Sequence, residues 1–543
     1  MGLFKVIGAF ALAITPAAAC WAVVPASQPS PESAFDTPLS TQQTVTVREF
    51  HFMGNTVISS AELADAAKPW TGKTLTSEQL EQARRAITQV YVNKGYINSG
   101  ARLPDQAVVN GIVTFQIIEG KLSNIKMSGL RWLSGNYIRN RIVRGAGPPL
   151  NIGDLKNRLE LLRQDLNLSV INAELKPGGE AGQSDLDVTM KEAPLFHFGI
   201  EFDNKHPPNY GAEELEAIGS MQDVTGHGDV LSGRWGITQG GWDRPSFGDL
   251  NNIFADYALP LNAFDTTLDL NYQRSRDLVI EAPFVPLNIS NETESYNVGL
   301  RQPVYHTPSN EVTLFVTGVV EDNTTLLAGE PFSFTPGQVN GQSRVTAIRI
   351  GTDWTSSNQS RAISFRSTFS IGLDALDSTV NAGPGAPSSR FFDWLGQFQY
   401  IQRLGQTDNQ LVFRSSAQLS ANPLLPQEQF AVGGFDTVRG YRESEVVRDE
   451  GAIASLELRI PILHHSGVSI LEVAPFSDVG YAWNHDSPQD PELLSSVGIG
   501  LLFHFDSHID ARIYYGYPFK RFQQSSYNIQ DDGIHFDLIA WAF

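Results

Sequence analysis

The segment "ASLELRIPIL", residues 454–463, alternates between apolar and polar side chains. Leucine or isoleucine stands at positions 456, 458 and 460, and Glu457 and Arg459 stand between them. Successive side chains of an extended strand point to opposite faces, so this segment is predicted to be a strand with one apolar and one polar face. The segment "TTLDLNYQ", residues 266–273, repeats the pattern with Leu268 and Leu270 against Asp269 and Asn271.

Similar segments recur from residue 194 to residue 543, separated by clusters of Gly, Asn, Asp and Pro, which predicts one long β domain. A soluble β-sandwich alternates in the same way, but a single sandwich of this length is unusual. A transmembrane barrel needs strands of roughly 9–11 residues, joined alternately by short turns and longer loops. At about 22 residues for each strand with its connection, about 16 strands fit. We therefore expect residues 194–543 to form a transmembrane antiparallel β-barrel.

The C-terminal stretch "GIHFDLIAWAF", residues 533–543, favours the barrel over the sandwich. Ile539, Trp541 and the terminal Phe543 share one face of the predicted last strand. A terminal aromatic strand of this kind resembles the recognition signal of bacterial outer-membrane barrels. We predict that Trp541 and Phe543 form this C-terminal barrel signal, and that the strand supplies an aromatic to the girdle at the membrane interface.

Charge and composition exclude several classes of protein. The chain has 39 basic against 59 acidic residues, a formal charge of −20, which argues against a nucleic-acid partner. Hydrophobic residues make up 41% of the chain, too many for a disordered protein. After the first two dozen residues, no apolar run approaches the ~18 residues of a spanning helix. One cysteine alone allows no intrachain disulfide.

Residues 1–19 have the features of a signal peptide, namely Lys5, an apolar core that ends at Ile14, and a small-residue site at 17–19. We therefore expect the protein to be exported. Cys20 falls at the cleavage junction, where it is either an ordinary remnant or a lipid acceptor. Residues 20–44 are rich in Pro, Ser and Thr and are predicted to be a linker.

Between the linker and the β domain, residues 45–120 and 121–193 are predicted to be two copies of a β-α-α-β-β module. The first copy opens with the strand "VTVREFHFMGN", has capping boxes at Ser59 with Glu62 and at Thr76 with Gln79, and ends in strands near 97–103 and 112–119. The second copy has the strand "KLSNIKMSG", helices near 136–143 and 153–166, and strands near 168–175 and at "SDLDVTMKE". Such modules either present free strand edges to an extended peptide or act as spacers.

Two such modules ahead of a barrel closely resemble the POTRA domains of the two-partner secretion transporters, the haemolysin and filamentous-haemagglutinin secretion proteins of Gram-negative bacteria. The stretches that carry the resemblance are "NKGYINSGARLPDQAVVNGIVTFQIIEG", "LKPGGEAGQSDLDVTMKE" and "FAVGGFDTVRGYRE". The resemblance implies an outer-membrane pore with periplasmic POTRA domains, which recognises an unfolded exoprotein and passes it to the cell surface. The implied partners are a TpsA-like, β-helical exoprotein, the lipids of the outer membrane, and the barrel assembly machinery during biogenesis. Some members carry an N-terminal helix that plugs the pore; the linker lacks an amphipathic pattern, which argues against such a plug here but leaves the question open.

The most specific motif of the resemblance is "VRGY". It consists of Val438, Arg439, Gly440 and Tyr441. The resemblance implies that this loop folds into the lumen, where Arg439 contacts Asp478 in "FSDVGYAW" on the inner barrel wall. Phe476 and Gly480 share the face of Asp478. An arginine suits this role because its planar guanidinium pairs with a carboxylate through two hydrogen bonds.

Motifs of enzymes and cofactor sites are missing from the sequence, which has no GxxxxGK[ST], HExxH or GxSxG stretch. The adjacent His464 and His465 face opposite sides of a strand, which disfavours a shared metal. We expect no enzyme activity, no cofactor and no metal. Two alternatives remain, an insertase of the same superfamily, which usually has three or more POTRA modules, and a passive porin, which needs none.

Overall fold

The protein consists of two small α+β modules followed by a closed antiparallel β-barrel. The computed structural model describes residues 38–165, 167–239, 251–383, 385–405, 407–465, 468–485, 487–506 and 508–542. The predicted signal peptide, Cys20, most of the predicted linker and Phe543 lie outside the described residues.

The first module contains two sheets and two helices. Its elements are β1 (Thr44–Val47), β2 (Glu49–Met53), α1 (Ser60–Ala67), β3 (Lys73–Thr76), α2 (Ser77–Asn93), β4 (Gly100–Arg102) and β5 (Ile112–Ile118). The predicted capping box of Thr76 and Gln79 is present at the start of α2. At the start of α1 the hydroxyl of Ser59 accepts from the N–H of Glu62, but the Glu62 carboxylate pairs with Lys94 and does not complete the second predicted box. The prediction of one continuous first strand is wrong, because β1 pairs with β3 and β2 pairs with β5. Between them the backbone N–H of Arg48 donates to the carbonyl of Gly111 at 2.7 Å, and the chain passes from one sheet to the other.

The second module is simpler, with one sheet in the order β6-β8-β7 and two helices. Its elements are β6 (Lys121–Ser128), α3 (Gly135–Ala146), α4 (Ile152–Arg163), β7 (Leu168–Pro177) and β8 (Gln183–Glu192). Helix α4 ends at Arg163, before the predicted end at residue 166. None of the helices in the described ranges is both long enough and apolar enough to cross a bilayer.

Both modules have a glutamate at the end of their last strand, and its carboxylate binds backbone N–H groups of the loop that precedes the first helix. The carboxylate of Glu119 accepts from the backbone N–H groups of Thr56, at 2.7 Å, and Val57, at 3.1 Å. The carboxylate of Glu192 accepts from the three N–H groups of residues 131–133, at 2.7 to 2.9 Å. Burial opposes ionisation of both groups, but these hydrogen bonds outweigh it and lower the pKa of Glu119 and of Glu192. The shared device supports an internal repeat.

Sixteen long strands in the described part of the chain close the barrel. They are β9 (Phe196–Asp203), β10 (Glu214–Gln222), β11 (Val230–Thr238), β12 (Asn252–Pro260), β13 (Thr267–Leu278), β14 (Ile289–Thr307), β15 (Asn310–Leu327), β17 (Gln342–Ser357), β18 (Arg361–Gly372), β19 (Phe392–Arg403), β20 (Gln410–Ser420), β23 (Glu450–His465), β24 (Val468–Asn484), β25 (Ser487–Phe505), β26 (Ile509–Pro518) and β27 (Ile534–Trp541). The two-residue β16 (Glu330–Pro331) pairs with the end of β15, and β21 (Phe430–Val432) with β22 (Val446–Arg448) forms a hairpin inside the connection between β20 and β23.

The period-two pattern separates the outer surface of the barrel from its lumen, as predicted. Leu456 and Leu270 are exposed on the outer surface, whereas Glu457 is buried inside and Asp269 lines a lumen cavity. Short turns join the strands at the end next to the modules, and most connections at the other end are longer, such as residues 421–449. A barrel in the outer membrane therefore has its modules on one side of the bilayer and its long loops on the other.

The last strand, β27, closes the barrel against β9. His535 and Asp537 are buried inside, and Trp541 lies on their face of the strand, opposite Gly199 of β9. Leu538, in contrast, is exposed on the outer surface. Trp541 is therefore not the aromatic that the strand was expected to supply to the outer girdle, because the inward-facing Asp537 fixes which face of the strand meets the lipid.

Candidate functional site in the barrel lumen

The connection between β20 and β23, residues 421–449, folds into the barrel and brings the "VRGY" motif against the inner wall. Gly440 lies where the loop touches β26. It has a φ of +97°, and a β-carbon there would lie 2.8 Å from the carbonyl oxygen of Gly516. Any other residue would be strained by this φ and would also collide with backbone that has no freedom to move. The backbone N–H of Gly440 donates to Nε2 of His535 at 3.1 Å.

Arg439 is fully buried, and its guanidinium lies between two carboxylates of the barrel wall. Its Nε donates to Oδ2 of Asp478 at 2.8 Å and its Nη2 donates to Oδ1 at 2.9 Å, which is a bidentate pair. The backbone N–H of Arg439 donates to the same carboxylate at 3.1 Å. On the other side, Nη1 donates to Glu457, and Nη2 also donates to Oγ of Ser455 at 3.0 Å. Arg439 therefore contacts the residue that the resemblance implied, together with a second carboxylate.

Two aromatic rings cover the guanidinium. Its Cζ lies 3.6 Å from the ring centroid of Phe476 and 4.6 Å from that of Tyr514. The two rings meet edge to face, with centroids 5.7 Å apart. A planar cation between such faces gains both electrostatic and stacking stabilisation, which an ammonium group does not reproduce.

The other predicted residues hold the loop on either side of Arg439. Val438 is fully buried and packs with Val432. Gly480 makes room for this contact, since a β-carbon there would lie 2.4 Å from Val432 and 2.8 Å from Val438. The hydroxyl of Tyr441 donates to the carbonyl of Ser495 at 3.0 Å. The structure thus brings the motif, Asp478, Phe476 and Gly480 into one cluster, whereas Trp541 lies on a different strand, β27.

Sequence reasoning did not single out Glu457, Ser455, Tyr514 and His535 as members of this site. Glu457 lies on the polar face of "ASLELRIPIL". A carboxylate on the lumen side of a barrel strand is a sequence signal by which Glu457 could have been identified. Arg459 pairs with the same carboxylate at 2.7 Å, so that two guanidinium groups balance Glu457 and Asp478. Tyr514 and His535 reach the site through strand register, which no local pattern indicates.

Two adjoining cavities with many polar lining side chains, of about 700 and 580 Å³, lie beside the loop in the barrel lumen. Side chains that line both cavities include Arg301, Asp353, Arg366, Gln397, Gln418 and Gln429. Arg366 forms a bidentate pair with Asp353 at 2.6 and 2.9 Å, and Arg301 donates to the same carboxylate at 3.2 Å. Amide, hydroxyl and charged groups therefore offer hydrogen-bond partners to an extended polypeptide in the lumen.

A group of three buried carboxylates, Glu201, Asp203 and Asp537, joins the first and last barrel strands. Nζ of Lys205 lies 2.7 Å from Glu201 and 3.1 Å from Asp537, and Arg512 also pairs with Asp537. Cations of the chain thus compensate this cluster, which links β9 to β27 as an ion-pair network.

The second module is fastened to the barrel by arginines of helices α3 and α4. Nε of Arg141 donates to Oδ1 of Asp265, in the turn between β12 and β13, at 2.8 Å. Nη1 of Arg158 lies 3.6 Å from the same carboxylate, and Arg144 donates to the carbonyl of Ala263 at 3.1 Å. These contacts hold the second module against the rim of the barrel.

Comparison with protein families matches residues 182–503, more than half of the chain, to the haemolysin secretion/activation proteins ShlB/FhaC/HecB. Residues 45–120 match the POTRA domain of the ShlB type. Curated relatives include the outer membrane transporter CdiB of Dickeya dadantii, 22% identical over 83% of this chain and 78% of the relative. The heme/hemopexin transporter protein HuxB of Haemophilus influenzae is 22% identical over 83% of this chain and 79% of the relative.

Solved structures show the same architecture. CdiB from Escherichia coli superposes with a TM-score of 0.70 at 19% identity, covering 93% of this chain and 94% of that chain. BamA from Haemophilus ducreyi lacking POTRA domains 1–3 superposes with a TM-score of 0.53 at 14% identity, covering 91% of this chain and all of the other. At these identities the likeness concerns the fold alone.

Proposed function

The chain belongs to the haemolysin secretion/activation family ShlB/FhaC/HecB, and we propose that it is the outer-membrane pore of a two-partner secretion system. Its barrel lies in the outer membrane and its POTRA modules lie in the periplasm. The modules recognise an unfolded exoprotein, and the barrel passes it to the cell surface. The observation that carries the proposal is the inward loop, which Arg439 anchors beside a cavity with many polar lining side chains in the lumen.

Capture of the exoprotein is assigned to the free edge of β7 in the second module. At ten residues β7 is the longest edge strand of either module, and most of its side chains are exposed. Strand β6, the other edge of that sheet, has eight residues, and Arg139 already occupies the carbonyl of Ile125 on it. An extended client strand gains main-chain hydrogen bonds along β7 whatever its side chains are.

Folding of the exoprotein outside the cell is the proposed source of free energy for translocation, since the sequence has no nucleotide-binding motif. A TpsA-like, β-helical client suits this mechanism, because each added coil extends the core that the previous coils began. The chain itself carries out no enzymatic reaction in this proposal and uses no cofactor. Its insertion into the membrane depends on the barrel assembly machinery, with Trp541 and Phe543 as the C-terminal signal, after removal of residues 1–19.

An insertase function is the second candidate, because the barrel of BamA from Haemophilus ducreyi has a similar fold. The likeness is weaker than that to CdiB from Escherichia coli, and two modules are fewer than insertases usually carry. A passive porin has no use for the modules or for arginines that fasten them to the barrel.

Deletion of residues 45–193 tests the proposal. The exoprotein of the neighbouring reading frame is co-expressed, and its amount in the medium is measured together with the level of other outer-membrane proteins. A secretion pore should lose export of its client while other barrels stay at wild-type levels. Unchanged export contradicts the role of the modules, and loss of many barrels indicates an insertase.

A further inference from the structure

Arg442 follows the "VRGY" motif, yet it takes no part in the cluster around Arg439. Its guanidinium is nearly buried and forms a bidentate pair with Asp531, at 2.6 and 2.8 Å. Its Nη1 donates to Oε1 of Glu281 at 2.9 Å, and its Nη2 donates to the carbonyl of Ser526 at 2.5 Å. One side chain of the inward loop therefore holds two carboxylates outside that loop.

The two carboxylates belong to loops that leave the barrel rim far apart. Asp531 lies in the loop 519–533, between β26 and β27, and Glu281 lies in the loop 279–288, between β13 and β14. The nearest strands of the two loops are β27 and β13, and four strands lie between them around the rim, namely β9, β10, β11 and β12. The spacings of about 4.8 Å from β27 to β13 add up to roughly 24 Å of rim, far more than a guanidinium spans. The loops must therefore bend over the opening to meet at Arg442.

A third loop, residues 204–213 between β9 and β10, is tied into the same assembly. Nε2 of Gln530 donates to the carbonyls of Asn204 and His206, at 2.7 and 2.9 Å. The backbone N–H of Ile280 donates to the carbonyl of Asn209 at 2.8 Å. We call the loops 204–213, 279–288 and 519–533 the external lid.

The inward loop contacts the lid at more than one point. The N–H of Glu443 donates to Oε1 of Gln530 at 2.9 Å, and Nε2 of Gln524 donates to Glu445 at 2.9 Å. The hydroxyl of Tyr441 accepts from the N–H of Lys520 at 3.2 Å. Arg442 alone among these contacts is a charged group that bonds two lid loops at once.

We propose that Arg442 is a positioning residue that holds the external lid closed over the outer mouth of the pore, so that the empty transporter excludes small solutes. The inference rests on the proposed function in one respect, since the lid must release Arg442 when a client emerges. Charge-assisted bonds to two loops stabilise the closed arrangement, because loss of the guanidinium removes the charged contact to both loops at once and leaves two carboxylates without their shared cation.

The test compares Arg442→Gln with the wild-type full-length protein in planar lipid bilayers and in cells. We expect a severalfold rise in mean conductance and a severalfold lower concentration of vancomycin for growth inhibition, with an unchanged heat-modifiable barrel. Arg521→Gln, an exposed arginine in the lid loop 519–533, is the matched control and should behave as wild type. Arg442→Lys should restore closure only in part, because one ammonium group does not bridge both carboxylates in the bidentate geometry.

Wild-type conductance and vancomycin resistance of a folded Arg442→Gln protein would overturn the proposal. If that variant fails to insert, Glu281→Gln and Asp531→Asn are measured separately, and each should raise the conductance. Wild-type conductance of both variants would refute the proposed closure of the lid. The conductance of the empty pore needs no client. A failure of the proposed secretion function, seen as no client export by the wild type, is therefore distinguishable from a failure of this inference.

Discussion

Replacement of Arg439 by alanine tests the central contact of the lumen site. It removes the guanidinium from Asp478 and Glu457 and leaves both carboxylates fully buried. Removal of one partner of a buried ion pair costs roughly 3–5 kcal/mol. The strand ladder of the barrel does not depend on this pair, so the cost falls on the docked position of the loop 421–449. At about 1.4 kcal/mol per factor of ten, the ratio of docked to undocked loop falls by about two to four orders of magnitude.

We expect Arg439→Ala to yield a heat-modifiable barrel in the outer membrane with strongly reduced client secretion, assayed in the culture medium. Arg439→Lys keeps the charge but loses the planar bidentate geometry, so secretion should stay well below wild type. Arg459→Ala, which removes only the more exposed partner of Glu457, is the matched control and should secrete far better.

The partner residue gives a second measurement of the same contact. Arg439→Ala and Asp478→Ala should be non-additive, the second change adding little to the first. Asp478→Asn should be milder than Asp478→Ala, because the amide oxygen still accepts from the backbone N–H of Arg439. Fully additive defects would refute the pairing, and wild-type secretion from Arg439→Ala would remove the loop from the mechanism.

Two further predictions concern the loop backbone and the capture edge. Gly440→Ala should abolish secretion while the barrel stays folded, because a β-carbon at residue 440 collides with the backbone of β26. Gly405→Ala is the control and should secrete normally, because Gly405 also has a positive φ but has open space around it. Equal secretion by the two variants would contradict this prediction. Proline at Asn172 or at Ala173 of β7 should differ in effect, since neighbouring N–H groups point to opposite sides of a strand. The position that points away from β8 should lose crosslinking to the client with its module folded, and crosslinking by both variants would exclude this edge.

The fold was predictable from sequence because its main constraint is local. Every barrel strand meets lipid on one face and the lumen on the other, so a period of two in segments such as 454–463 reports the architecture directly. Helix α2 was predictable for a similar reason, since a capping box needs only residues three apart. The division of the first strand at Arg48 was not predictable, because it depends on a backbone hydrogen bond to Gly111, which lies far along the chain.

The residues of the lumen site also fall into those that the sequence predicted and those that it did not. The resemblance supplied the "VRGY" motif and Asp478, and the polar face of 454–463 contained Glu457. Tyr514 covers the guanidinium only because the register of β25 against β26 brings it there. Which face of β27 meets the lipid was also not predicted, because the bonds of Asp537 to Arg512 of β26 and to Lys205, just after β9, decide it.

Arg439 and Arg442 hold the inward loop at two points through ion pairs of different strength. Arg439 and both its carboxylates are fully desolvated, whereas the two carboxylates that hold Arg442 keep partial access to solvent. Ion pairs that water reaches are screened and contribute less than pairs that it does not reach, once the buried partners are in place. The tie to the external lid should therefore break more readily than the anchor on the barrel wall. We therefore expect an emerging client to open the lid while Arg439 keeps the loop docked on the barrel wall.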